Sequence, residues 1–300
     1  MRMDIVYRTP AEFDRALKKA AKAASGDPGE RYRQALRDRF LCRVFSDPDE
    51  RFILKGGSGT LARIPNARAT RDADFATRRK ETPDAVIAAL GELAALDLGD
   101  FCRFELTRHE ESMDENGYSR LIKLRYATYI GEEEKDPVLV DLSLDCEATL
   151  PPERLTPANR LDIPGADVRD YIVYSVEDQL ADKLCAIMER QLGGWPSSRM
   201  KDLADVVFYA LTQSPASDGL SEAIESECGR RSMDIPGAFA APKEWSDAFS
   251  DFAAKAGVPK EYRSFEHASS LASKLFDPIL DDSARQMTWN REAATWKRDD

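Results

Sequence analysis

Strand-like alternation is confined to the first half of this 300-residue chain, and no other feature limits its fold as tightly. "PVLVDLSLD" puts Val138, Val140, Leu142 and Leu144 on one face and Asp141, Ser143 and Asp145 on the other. That is the two-residue period of a half-buried strand. "SRLIKLRYATYI" sets Ile122, Leu124, Tyr126 and Thr128 against Lys123, Arg125 and Ala127, and "FCRFELTRH" alternates too. "RFILK" and "DADFA" read as two short strands further upstream, and "EESMDENGYS" and "GEEEKD" as hairpin loops. Helices are expected from Thr9-Pro10, over 31–45 after the break "GDPGE", and from Thr82-Pro83 to about Leu96. Past the Pro-rich connection "LPPERLTPANRLDIPGADVRD" the spacing turns helical, over 175–191, 199–213, 218–230, 242–256 and about 264–276. Strands first and helices afterwards predict an α+β fold. The expected division is an α+β domain over 1–165 and an all-helical domain over 166–300, with the active site in the cleft between them.

Composition narrows the chemistry. Hydrophobic residues make up 42% of the chain, enough for a real core. No apolar run approaches the ~18 residues that span a bilayer, and "MRMDIVYRTP" has no secretory h-region, so a cytoplasmic protein without a membrane partner is expected. The five cysteines are dispersed and read as reduced thiols. Two histidines, His109 and His267, argue against a zinc enzyme and against a Ser-His-Asp triad. A net charge of −11 argues against a dedicated nucleic-acid binder, although Arg63, Arg68, Arg71, Arg78, Arg79 and Lys80 crowd one stretch.

That stretch is "FILKGGSGTLARIPNARATRDADF", residues 52–75. Asp72 and Asp74 stand at i and i+2 on an expected strand, so both carboxylates face the same way. Asp141, mid-strand among aliphatics, is the candidate third ligand of a Mg²⁺ site. Gly56, Gly57 and Ser58 form a turn whose N–H groups suit phosphate oxygens, with the Ser58 hydroxyl added. The other Asp-x-Asp, Asp47-Pro48-Asp49, lies in an evident turn. Lys183 on the helix "SVEDQLADKLCAIMER" is either a snorkelling surface lysine or a functional one. Lys201 and Asp205, four apart, are either a surface ion pair or part of a site.

In their order and spacing these segments resemble the AbiEii/AbiGii family of nucleotidyltransferase-like toxins of type IV toxin–antitoxin systems. The resemblance rests on Gly56-Gly57, Arg68, Thr70-Arg71-Asp72-Ala73-Asp74, Asp182-Lys183-Leu184 and Arg199-Met200-Lys201-Asp202-Leu203-Ala204-Asp205, and covers about residues 52–211. It implies a polymerase-β-like core, a mixed sheet with helices, followed by a helical domain. It also implies Mg²⁺-dependent transfer from an NTP to an RNA 3′ end, in studied relatives that of tRNA, and a cognate antitoxin, often a winged-helix repressor. Asp72, Asp74 and Asp141 would then hold metal, and Gly56, Gly57, Ser58, Thr70 and Lys201 the substrate. Lys183 would neutralise phosphate charge, and Asp205 would orient it or act as base. Transfer to a small molecule or protein side chain, and an inactive nucleotide-binding module, remain as alternatives.

Overall fold

Local capping sets the first elements. The computed structural model describes residues 7–298 except 114–116, 118, 145 and 192. Thr9 Oγ1 accepts the Glu12 N–H at 3.2 Å and starts α1, Pro10–Ala23. Asp27 caps α2, Pro28–Val44, so the "GDPGE" segment, expected as a break, also opens a helix with its own Asp-Pro start. β1, Phe52–Leu54, is wholly buried and runs into α3, Gly56–Arg63. Sequence periodicity does not announce α3, because Gly56, Gly57 and Gly59 are weak helix formers.

Next come β2, Asp72–Thr77, and α4, Pro83–Ala94, capped by Thr82. β3, Cys102–Met113, β4, Arg120–Ile130, and β5, Glu133–Ser143, make a meander. Its second turn is tight, with Gly131 at φ 60°, so most of "GEEEKD" is strand rather than loop. The alternation holds over much of β4 and β5, where Ile122, Leu124, Tyr126, Val138, Val140 and Leu142 are buried and Lys123 and Arg125 exposed. Ala127, at a bulge, and Ser143 are buried against expectation. Along β3 Phe104 alone is buried, because that strand lies at the sheet edge. Asp145, expected on the polar face, lies outside the described residues. The Pro-rich connection contributes β6, Glu153–Leu155, and β7, Tyr171–Val173, follows it directly.

The sheet order is β3-β4-β5-β2-β1-β7-β6, with β2 parallel to β5, β1 parallel to β7 and the other pairs antiparallel. The mixed sheet is the expected one, and β7 carries it past residue 165. Phe40, Phe75, Leu90, Tyr126 and Val140 are among its core residues.

The rest of the chain holds α5, Val176–Met188, α6, Met200–Thr212, α7, Ser217–Arg230, α8, Ser246–Lys255, and α9, Phe265–Leu280. It is not all helical. A hairpin of β8, Met287–Asn290, and β9, Thr295–Arg298, follows. Four-residue strands are too short to show a period. Trp289 on β8 is fully buried and donates its Nε1–H to Ala210 O at 2.7 Å, which pins the hairpin to α6. Trp289 joins Leu184, Leu203, Val206, Leu275 and Phe276 in the helical core. Among the described residues no helix is long and apolar enough to cross a membrane.

Candidate active site

The sheet aligns the three carboxylates. β2 and β5 pair in parallel with Asp74 directly opposite Asp141, and Asp72 one step away opposite Leu139. Burial and the neighbouring charge of Asp141 push the Asp74 carboxyl up to about 6. Asp141 is raised as well, by burial and then by Asp72. The register sets Asp74 beside Asp141 with Asp72 in the adjoining row, an arrangement that is electrostatically costly when no cation is there.

α3 begins beside them. Gly59 N–H donates to Lys55 O at 2.8 Å, so the N–H groups of Gly56, Gly57 and Ser58 precede the helical ladder. Lys55, at the N-cap, supplies no side-chain cap. The positive end of the helix is thus left open to an anion. Gly56 has φ +56°, and a Cβ there would lie 2.7 Å from Asp74 Oδ2. A Cβ on Gly57 would lie 3.0 Å from Thr70 Oγ1 and 3.4 Å from Arg68 Nη2. Both glycines are needed for close approach. The Ser58 hydroxyl does not point at a ligand, because it donates to Asp72 O at 2.5 Å. Arg37, buried on α2, donates to Thr70 O at 2.6 Å. These two bonds fix the segment that carries Thr70 and Asp72.

Lys183 and Asp205 meet behind this loop. Lys183 is 1% exposed and Asp205 0%. Lys183 Nζ donates to Asp205 Oδ2 at 2.8 Å and to Asp202 Oδ1 at 3.3 Å. Arg68 grips Asp205 from the other side, Nε to Oδ1 at 2.8 Å and Nη2 to Oδ2 at 2.9 Å. Burial alone would raise the Asp205 carboxyl, but Lys183 and Arg68 overcome it and hold the group below the usual carboxylate range. Lys183 is held above its usual range, since Asp205 and Asp202 outweigh its own burial. The sequence left open a snorkelling Lys183 and a Lys201–Asp205 surface pair. The structure shows neither: Lys183 is buried, and Asp205 turns to Lys183 and Arg68.

A cleft of about 350 Å³ runs between the sheet and the helices. Of the sequence-predicted residues, Gly56, Asp74 and Asp141 line it. Lys201 is exposed at the start of α6, and its charge lowers both Asp74 and Asp141. Sequence reasoning missed two further cations. Lys55 lines the cleft and also acts on both aspartates, and Lys123 on β4 sits opposite Asp141. The signals were present: Lys55 immediately precedes the glycine pair, and Lys123 falls on the polar face of its strand. The crowd of basic residues between Arg63 and Lys80 is largely used internally. Arg63 pairs with Glu153, Arg68 with Asp205, Arg78 with Glu50 and Lys80 with Glu147.

Hard oxygen donors and a raised Asp74 fit a divalent cation such as Mg²⁺, which would relieve the repulsion between the carboxylates. Among the described residues no three Asp, Glu, His or Cys side chains are already gathered as a ligand cluster. The fit is one of donor chemistry and strand register.

The chain is similar in fold to the nucleotidyltransferase toxin MenT4 from Mycobacterium tuberculosis H37Rv, at 17% identity and a TM-score of 0.57, over 90% of this chain and 89% of that one. A looser likeness is to JHP933 from Helicobacter pylori, at 15% identity and a TM-score of 0.43, over 83% of this chain and 93% of that one. No curated protein matches in sequence. The sequence model described as "Nucleotidyl transferase AbiEii toxin, Type IV TA system" matches residues 39–290, most of the chain. With that match, the chain belongs to the AbiEii family of nucleotidyltransferase toxins of type IV toxin–antitoxin systems.

Proposed function

We propose that this protein transfers a nucleotide from an NTP to the 3′ hydroxyl of an RNA, with tRNA as the expected acceptor, and so blocks translation. The observation that carries the reading is the Asp74–Asp141 pair standing beside the open N-terminus of α3. The N–H groups of Gly57 and Ser58 receive the outer phosphates, and Thr70 frames them. Asp72, Asp74 and Asp141 would hold Mg²⁺, which when bound stabilises charge on the reacting oxygens. The acceptor oxygen attacks the α-phosphorus, the bond to the β-phosphate breaks, and pyrophosphate leaves. The Asp141 carboxylate takes the hydroxyl proton. Lys55 and Lys201 offset the charge of the departing pyrophosphate.

Lys183 and Asp205 act from behind. Asp205, buried and doubly paired, is a positioning residue rather than the base. Lys183 holds Asp205, Asp205 holds Arg68, and Arg68 lies against Gly57 where the phosphates arrive. The partner in the cell is a cognate antitoxin, expected to be a winged-helix repressor, and the reaction is placed in the cytoplasm.

The test is incubation of the protein with total tRNA, Mg²⁺ and each α-labelled NTP in turn, beside Asp72→Ala. Label on RNA with the wild type alone supports the reading, and wild-type rates from Asp72→Ala would sink it. The net charge of −11 favours a second acceptor class, a small molecule or a protein side chain. Transfer to RNA should weaken steeply with salt, and transfer to those acceptors should not.

A further inference from the structure

The face of the sheet that carries the carboxylates continues outward into β4 and β3, row by row. Asp141 lies opposite Lys123, and Lys123 opposite Glu110. One row along, Leu139 lies opposite Arg125, and Arg125 opposite Arg108. Asp72 is the β2 member of that same row, since it pairs with Leu139. Two arginines therefore face each other across the strands in line with a catalytic carboxylate, and like charges directly opposed cost stability.

Packing does not explain them. Arg108, Lys123 and Arg125 are all exposed. Arg125 and Lys123 form no ion pair among the described residues, and Arg108 has only Glu110 at 3.2 Å, an exposed pair worth little. Two residues along a strand span ~7 Å, comparable to the step between successive phosphates of an extended polynucleotide. The chain carries a charge of −11 overall, so a polyanion needs a local cationic row of this kind to approach the carboxylates.

We propose that Lys123, Arg125 and Arg108 form the phosphate track for the single-stranded 3′ end of the acceptor, leading its terminal hydroxyl along β4 to Asp72 and Asp141. The proposal rests on the nucleotidyltransferase reading above and adds the direction from which the acceptor enters. Contacts of this kind are sequence-independent, so the track sets register and orientation and leaves choice of RNA to other groups.

The experiment compares the full-length protein with Arg108→Gln/Arg125→Gln. Binding of a 5′-labelled oligoribonucleotide with a free 3′ hydroxyl is measured from low to high KCl. Binding of a non-hydrolysable NTP analogue is measured without RNA. The track predicts weaker RNA binding, a slope of log K against log[salt] shallower by about 1.4 (two phosphates at about 0.7 each), and unchanged NTP affinity. Thermal stability should be unchanged or raised, because the opposed pair is relieved. An unchanged slope while the wild type still extends RNA overturns the track and leaves the nucleotidyltransferase reading standing. A wild type that labels only small molecules or proteins overturns both. A double variant that loses a protein partner while keeping RNA binding overturns the track in favour of a protein-docking face.

Discussion

Lys183 Nζ lies 2.8 Å from Asp205 Oδ2, and neither side chain reaches solvent. The pair ties α5 to α6, and through Arg68 it reaches the loop between α3 and β2. A buried pair stripped of one member leaves an uncompensated charge. Lys183→Met should therefore destabilise the fold by about 3–5 kcal/mol, measured by urea unfolding. Lys183→Met combined with Asp205→Leu should cost less than the sum of the single changes. Strict additivity would mean that the two residues are not coupled.

The carboxylates should behave in the opposite way. Asp72→Asn, Asp74→Asn and Asp141→Asn should each cut nucleotide transfer by about 10²-fold or more without lowering the melting temperature. Asp74→Asn should raise the metal-free melting temperature at neutral pH, because it removes a carboxylate that burial and Asp141 disfavour. Adding Mg²⁺ should stabilise the wild type more than this variant. Equal stabilisation of the two would contradict Asp74 as a ligand.

Gly56→Ala tests the close approach of α3 to β2. The added methyl would meet Asp74 Oδ2 at 2.7 Å on a backbone of positive φ. The expected outcome is a loss of about 1–3 kcal/mol from the strained conformation, with transfer falling as Asp74 is displaced. Chemical denaturation and the labelling assay read the two effects separately. Near wild-type values in both would show that the loop yields without consequence.

Much of this architecture is legible in the sequence because it follows from short-range rules. Thr9, Thr82 and Ser175 cap helices as their positions suggest, and Ser264 caps the helix expected to begin about there. The polar face of "PVLVDLSLD" places Asp141 where a partner for Asp74 is needed. What escaped is what tertiary contacts decide. α3 forms on glycines because Asp74, Thr70 and Gln179 press on them, and no propensity records that. Lys201 and Asp205 have the spacing of a surface pair, yet Asp205 points inward to residues 22 and 137 positions away. The hairpin of β8 and β9 is held by Trp289 rather than by its own pattern.

Asp38 supplies a pH signature. It sits on α2 with Tyr171 OH donating to Oδ1 at 3.3 Å and, among the described residues, no hydrogen-bond partner for Oδ2. Burial pushes its carboxyl up to about 6, against the pull of Arg37 and Arg160. Between the ordinary carboxylate value, about 4, and about 6 the folded state keeps a proton that the unfolded chain has released. Stability attributable to Asp38 should therefore fall as pH rises through that window and stay low above it. Asp38→Asn should remove up to about 2 kcal/mol of that fall, read as the difference between unfolding free energies at pH 4.5 and 7.5. A pH profile identical to the wild type would contradict the assignment.

All four tryptophans lie beyond residue 190, and Trp289, fully buried, has Trp296 at 5.5 Å between ring centroids. Tryptophan emission, excited at the red edge where tyrosine does not absorb, therefore reports on the helical half alone, and the sheet with its carboxylates carries no tryptophan. A tryptophan placed on β3 or β4 would give the sheet the same kind of signal, and the two halves could then be watched unfolding one against the other.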